Sequence, residues 1–390
     1  MKKPFISRVV INNYKSIADC DVRLGALQFL VGRNGAGKSN FLDALTFVRD
    51  VLEFNSLKKA LTPRIQRNVF YRKGKNIALN FGMDIKFNLP NGASGEFAFQ
   101  IDYAEDDYRV TKESCRIETD DETHEYQTQD GKLQSDDPKS FPPVRSDRFY
   151  LQNMSAYDAF EPVCEAFEKM EVYNFIPQNI LEADKTEPNT PLMSDGRNIA
   201  QVISELPDNV KDRVCEYLQL VAPAISNVEV INYDRHDEAV NGKYLMFHEK
   251  QGVFIRESMS YGTLRALCVI TALLQRSQNG ENNHPVLIGI EEPENSIHTR
   301  AIRALLGAMR EAKRMRQVII STHSAEMLDS DDVASEQILP VEMSDSGTVI
   351  APMDDATKDM LREHITTAGE LLRQGQLQPQ KPSIVSDSNQ

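Results

Sequence analysis

The sequence predicts an α/β fold: a parallel or mixed sheet flanked by helices, with antiparallel β and helical elements inserted. Three observations carry that expectation. A glycine-rich turn joins an apolar strand to an amphipathic helix near the start. Two uninterrupted apolar strands alternate with helical spacing in the last third, as in a parallel sheet covered on both faces. Between these regions, a stretch alternates apolar and polar residues in the manner of a small antiparallel sheet.

In chain order, Phe5 to Asn12 reads as a strand, followed by a turn at Asn13-Tyr14-Lys15-Ser16. A second strand, Leu27 to Val31, runs into the glycine-rich turn. From Asn40 to Leu52 the spacing of Phe41, Leu42, Leu45 and Val48 predicts a helix. Residues Ile77 to Val110 alternate around a turn at Pro90-Asn91-Gly92, and the acidic stretch 119–140 reads as an exposed loop. Helices are expected near 155–170 and 197–219, with a short strand at 171–176. A helix from Tyr261 to Gln275 follows, then a strand from Val286 to Ile290, a basic amphipathic helix over His298–Arg316 and a strand over Gln317–Ser321. From Arg373 the chain reads as a flexible tail. The expected organisation is a main α/β lobe over 1–52 continued at 171–350, an inserted subdomain at 53–170 and a C-terminal helix with tail at 351–390.

The composition narrows the possibilities. Of 390 residues, 41% are hydrophobic and 26% charged, enough to bury a sizeable core. Acids outnumber bases 58 to 44, a net charge of −14. A protein that coats nucleic acid with its whole surface needs the opposite sign; a local patch is still open. No apolar stretch reaches the roughly 18–20 residues of a membrane helix, and the start lacks a signal-peptide core. Cys20, Cys115, Cys164, Cys215 and Cys268 stand far apart without a CxxC pair. A reduced, cytoplasmic protein is expected.

Gly32-Arg33-Asn34-Gly35-Ala36-Gly37-Lys38-Ser39 fits the G-x-x-x-x-G-K-S/T pattern, between a strand and a helix as that pattern requires. Its glycines let successive backbone N–H groups turn inward as a nest for anionic oxygens, and the helix points its positive end at the same place. Asn34, Gly35, Gly37, Lys38, Ser39 and Asn40 are the expected nucleotide contacts. Lys38 pairs with the β- and γ-phosphates and Ser39 ligates Mg²⁺, so ATP and Mg²⁺ are the expected cofactors.

The strand Val286–Ile290 ends in Glu291-Glu292-Pro293-Glu294. Removing a carboxylate from water costs several kcal/mol unless it is paired, and a nucleotide-bound cation turns that cost into a role. Glu291 would hold the ion and Glu292 would polarise the attacking water, while Glu294 is expected to cap the next helix. The plainer alternative is that all three acids serve as caps. Ser321-Thr322-His323 follows the next buried strand, where the His323 imidazole could donate to the γ-phosphate; a purely structural histidine is the alternative.

These residues together resemble the ABC-type ATPases related to RecF, SMC and OLD proteins, most closely the small predicted ATPases under the AAA-21 label. The resemblance covers Phe5–Leu52 and Tyr173–Ile350. Ser258-Met259-Ser260-Tyr261-Gly262-Thr263-Leu264-Arg265 resembles the family's signature, Glu291 to His298 its Walker B and D-loop run, and Ser321 to Ser324 its switch-histidine loop. Pro191–Leu206 and Ala368–Leu371 are similar to further landmarks. The resemblance implies an ABC-type head that works as a homodimer. Ser260 and the N–H of Gly262 then face, in trans, the nucleotide held by the other subunit; simple N-capping by Ser260 is the alternative. It also implies a Q-loop glutamine near Mg²⁺ and the water, with Gln178 the candidate and Gln66 its rival, and a base-bordering loop at Asn13–Ser16. Glu291 stands where the family usually has Asp, and Tyr261 where Asp is common.

Residues 53–172 lack heptads for a long coiled coil, and the segment after His323 is too short for a nuclease domain. The resemblance therefore implies a sensor of bacterial anti-phage modules, paired with a separate nuclease or toxin. The alternatives are a RecF-like DNA-repair ATPase and a non-catalytic, ATP-dependent scaffold. A basic run from Lys58 to Lys75 (Lys58, Lys59, Arg64, Arg67, Arg72, Lys73, Lys75), with Phe70 and Tyr71, could grip a phosphate backbone or meet the acidic 119–137 segment of a second subunit.

Overall fold

A hairpin of β1 (Ile6–Tyr14) and β2 (Ile17–Arg23) opens the chain, its tight turn allowed by the left-handed backbone of Lys15. The computed structural model describes residues 3–65, 69–73, 76–104, 107–134, 141–181, 188–235, 240–276, 284–330 and 333–380. Strand β3 (Leu27–Val31) is buried along its whole length and runs through the glycine turn into α1 (Lys38–Phe54). Next come α2 (Leu57–Ile65), the short strands β4 (Arg72–Lys73) and β5 (Asn76–Ile77), and a meander of β6 (Asn80–Asn88), β7 (Ser94–Ala104), β8 (Asp107–Glu118), β9 (Thr123–Gln129) and β10 (Lys132–Leu133). Helices α3 (Leu151–Met154) and α4 (Glu161–Glu168) lead to β11 (Met170–Tyr173), and α5 (Pro177–Ile180), α6 (Ile199–Glu205) and α7 (Asp208–Val221) follow. A three-stranded antiparallel sheet, β12 (Ile225–Arg235), β13 (Val240–Glu249) and β14 (Gly252–Ile255), precedes α8 (Tyr261–Leu274). The last part comprises β15 (Leu287–Glu291), α9 (Ile302–Ala312), β16 (Gln317–Thr322), α10 (Ala325–Leu328), β17 (Ile338–Ser344), β18 (Gly347–Ile350), α11 (Asp355–Arg362) and α12 (Ala368–Arg373).

Two sheets organise these elements. One has the order β11-β15-β16-β3-β17-β18, parallel except for the final hairpin. The other is antiparallel, β10-β9-β8-β7-β6-β1-β2. Helix α1 is apolar on most of its circumference because it lies between them. Its Leu42 reaches towards Gly289 of β15, while its Phe47 ring sits 5.3 Å from Phe81 and 6.1 Å from Phe99 of the antiparallel sheet. On the other face of the parallel sheet, Phe29, Val31, Ile288, Ile290, Val318 and Ile320 pack into a second core with α7, α8 and α9. Burial on both faces explains the unbroken apolar runs of β3, β15 and β16.

Several expectations are corrected. The acidic 119–134 stretch is not wholly a loop: β9 pairs with β8 and turns Tyr126 and Thr128 inward, whereas 135–140 lies outside the described residues. The helix expected at 197–219 is broken into α6 and α7 by Pro207, whose ring cannot continue a helix from the preceding turn. The basic helix shortens to Ile302–Ala312 after a 3₁₀ turn at Thr299–Ala301. Residues after Arg373 are not free as far as Gln380: Leu377 is buried, and the Gln380 N–H donates to Pro352 O at 2.8 Å. The remainder of that tail, 381–390, is outside the described residues. No described helix is long and apolar enough to cross a membrane.

Candidate functional site at the carboxyl edge of the parallel sheet

The strands β3, β15 and β16 end side by side, and the loops after them bring the predicted residues together. The Gly32–Ser39 turn is shaped by its neighbours as much as by its own glycines. Gly37 has φ +108°, and a Cβ there would lie 2.1 Å from Thr348 Oγ1, so only glycine fits. That hydroxyl donates to Ala36 O at 2.8 Å, and the Thr348 N–H donates to Ser16 O at 2.7 Å. Strand β18 is thus a brace under the turn. Nothing in the sequence marked Thr348, because a threonine in a four-residue strand looks like any other.

Lys38 is buried, and its ammonium donates to Gly32 O at 2.8 Å and Arg33 O at 3.1 Å. Burial lowers its pKa, and the carboxylates of Glu292, Glu294 and Glu291 act against that shift. Ser39 Oγ donates to Glu291 Oε2 at 2.5 Å. The Glu291 pKa is raised, chiefly by burial, with the Ser39 hydrogen bond opposing it and Glu292 adding to it. A half-buried carboxylate beside a second carboxylate and a hydroxyl is a set of hard oxygen donors suited to Mg²⁺, which takes one or two carboxylates and completes its shell from phosphates and water.

Glu292 has a left-handed backbone, φ +45°, uncommon for a residue with a side chain. Its N–H donates to Ser321 O at 2.9 Å, and its Oε2 accepts from Asn295 Nδ2 at 2.7 Å. His323 Nδ1 lies 3.4 Å from Glu292 Oε1 and 3.9 Å from Glu294 Oε1. Glu294 does not cap a helix; it turns back on β16, accepting from Thr322 Oγ1 at 2.5 Å and from the His323 N–H at 3.3 Å. Arg265, in the signature-like run, donates to Glu291 O at 2.9 Å, to Glu292 O at 3.1 Å and to Phe175 O. It ties α8 to the ends of β15 and β11. Spacing alone gave no reason to pick out Arg265 or Asn295 for these contacts.

Other predicted residues stand apart. Ser260 is exposed and caps α8, accepting from the Thr263 N–H at 3.1 Å. Tyr261 beside it is 47% exposed. A Cβ on Gly262 would lie 2.1 Å from Ser296 O, so the start of α8 rests directly on the segment after Glu292. Gln178 is an exposed residue of α5 with no hydrogen bond to Ser39 or Glu291, and its rival Gln66 lies outside the described residues. Asn34 and Gly35 are exposed at the tip of the turn, while the Asn40 amide donates to Ser16 Oγ at 2.6 Å.

Within the basic run, two residues are corrected. Arg64 is buried and committed to Asp43 at 3.0 Å and Asp50 at 2.7 Å on α1. Phe70 is buried, 5.5 Å from the Phe81 ring. Neither presents itself to a phosphate backbone. Lys58 and Lys59 are exposed, and Arg67 and Lys75 lie outside the described residues.

A family described as "AAA domain, putative AbiEii toxin, Type IV TA system" matches residues 27–329. Among solved structures, the SMC head bound to the C-winged helix domain of ScpA aligns with a TM-score of 0.54 at 15% identity, covering 91% of this chain and 99% of that one. The Smc head domain with an extended coiled coil, bound to the C-terminal domain of ScpA and derived from Pyrococcus furiosus, gives 0.55 at 13% identity, over 93% and 99%. At such identities the likeness is one of fold. No curated protein matches the chain.

Proposed function

We propose that this chain, which belongs to the AAA_21 family and is an ATPase of the SMC and ABC type, hydrolyses ATP between two copies of itself and thereby controls a separate effector protein. The observation that carries the reading is the convergence of Ser39, Glu291, Glu292 and His323 on the phosphate-binding turn, from three adjacent strand ends. In this reading the N–H groups of the turn and the Lys38 ammonium bind the β- and γ-phosphates. Ser39 and Glu291 would hold Mg²⁺, which supplies charge neutralisation at the phosphate oxygens. Glu292, fixed through Asn295, orients the attacking water and accepts its proton, and His323 donates towards the γ-phosphate. Ser260 and the Gly262 N–H are offered to the partner's nucleotide, which the exposure of Ser260 and Tyr261 supports.

The family description names a toxin–antitoxin context, and the two SMC heads are bound to domains of ScpA. A nuclease or toxin as partner, and anti-phage defence as the setting, fit that pattern. The decisive experiment is Glu292→Gln in the full chain. Turnover should fall about 100-fold or more, the scale of a lost general base, while ATP binding persists and ATP-dependent dimers accumulate in light scattering. Undiminished turnover, or a chain that stays monomeric with ATP, overturns the reading.

A further inference from the structure

Ser260 and Tyr261 are exposed at the start of α8, and the chain is anchored on either side of them. Downstream, Gly262 sits against Ser296 O, and Arg265 donates to Glu291 O and Glu292 O. The upstream anchor is Arg256, in the 3₁₀ turn Arg256–Ser258 that follows β14. Its neighbours Ile255, Glu257 and Ser258 are exposed, yet Arg256 is only 2% exposed.

A buried cation must be stabilised by what surrounds it. Here that is Tyr244 of β13 and Glu257. The Arg256 guanidinium lies 4.1 Å from the centroid of the Tyr244 ring, and its Nε donates to Glu257 Oε1 at 3.4 Å. The Tyr244 hydroxyl donates to Glu257 Oε2, so cation, ring and carboxylate form a closed set that fastens the turn to β13. Strand β13 is itself held: its Leu245 and Phe247 are buried in the second core, and the Lys243 ammonium donates to Ser204 Oγ of α6 at 2.6 Å. From the turn the path to Ser260 is short. The Met259 N–H donates to Arg256 O at 3.0 Å, Met259 packs on the second core, and Ser260 caps α8.

We propose that Arg256 is a positioning residue for ATP hydrolysis: stacked on Tyr244, it fixes the turn that presents Ser260 and the Gly262 N–H to the nucleotide held by the other subunit. The inference rests on the composite pocket of the proposed function. Donors that meet their phosphate only when two chains close must be held in place beforehand, because any freedom left to them is lost on closure. A guanidinium clamped between an aromatic face and a carboxylate supplies that rigidity.

The test pairs variants of the full chain. Arg256→Gln should lower kcat about tenfold or more, while affinity for ADP, read by titration, is unchanged. Tyr244→Leu should behave alike, whereas Tyr244→Phe, which keeps the ring, should cost less than about threefold. Lys38→Ala should be inactive alone. In a large excess of Lys38→Ala chains, the rate per Arg256→Gln chain should rise about fivefold or more, since nearly every dimer it forms is then a hybrid in which its own Lys38 faces an intact Ser260. A misfolded chain gives no such rescue. If Arg256→Gln does not fold, Tyr244→Leu takes its place in the mixture. An unchanged kcat, a loss of ADP affinity equal to the loss of rate, or Tyr244→Leu as active as Tyr244→Phe overturns the proposal. So does absence of rescue when Ser260→Trp is rescued under the same conditions, which leaves the composite pocket standing. If neither is rescued, the composite pocket falls as well.

Discussion

The two edges of one parallel sheet carry opposite chemistry. At the carboxyl edge, Glu291, Glu292 and Glu294 gather around a buried lysine, and the described hydrogen bonds already join them to Ser39, Asn295 and Thr322. At the amino edge, Lys3, Lys169, Arg276, Lys313 and Arg316 line a cleft, and Arg316 is the most buried of these cations. The contrast follows from how strands meet helices. Loops after parallel strands face helix N-termini, where N–H groups can collect anionic phosphate, and in the proposed function the acids there hold the accompanying cation.

The largest effect should come from breaking the carboxyl edge alone. Lys38→Ala removes the buried ammonium that the turn encloses, and ATP affinity should drop about 100-fold or more, the scale set by truncating a buried charge contact, as read by nucleotide titration. Unchanged ATP affinity would remove Lys38 from the nucleotide site.

A smaller effect is expected at Arg265, a positioning residue whose described hydrogen bonds all run to backbone carbonyls. Lysine keeps its charge but not the planar fork that spans Glu291 O, Glu292 O and Phe175 O. Arg265→Lys should lower kcat about tenfold with little change in KM, on the order of the 1–2 kcal/mol that lost hydrogen bonds are worth. A rise in KM with unchanged kcat would assign Arg265 to nucleotide binding instead.

The last effect is read in stability instead of turnover and sharpens the contrast from a third place. Glu113 in β8 is buried and has no ion pair among the described residues; it accepts from Tyr126 Oη at 2.6 Å, from the Tyr150 N–H at 2.6 Å and from the Leu151 N–H at 2.7 Å. Burial pushes its pKa up to about 7 against those bonds. Because the folded value is raised, the stability it contributes is full below the unfolded value near 4.5 and is lost as pH rises through about 7. Glu113→Gln should flatten that slope by on the order of 1–3 kcal/mol, measured by urea denaturation at pH 5 and pH 8. An unchanged slope would mean that Glu113 is ionised throughout.

What could be read from the sequence divides along similar lines. The strands β3, β15 and β16 are unbroken apolar runs, and the glycine turn has a fixed spacing, so their signals are local. Strand β9 was missed because Thr123–Gln129 sits at the polar side of an antiparallel sheet, with Tyr126 its one large apolar side chain facing inward. The β12–β14 sheet drew no expectation at all. Arg64 looked like part of a basic surface because its partners, Asp43 and Asp50, lie on a neighbouring helix that no run of charge reveals. The same limit hid Thr348 and Arg316: each acts through contacts with segments remote in the chain.

The close seat of Gly262 on Ser296 has a mechanical consequence. With no room even for a methyl group between them, the start of α8 and the chain just beyond Glu292 must travel together, like two cogs already in mesh. In the proposed dimer, an event at one subunit's own phosphate would then be felt at once on the surface it presents to its neighbour, with no intervening linker to absorb the displacement.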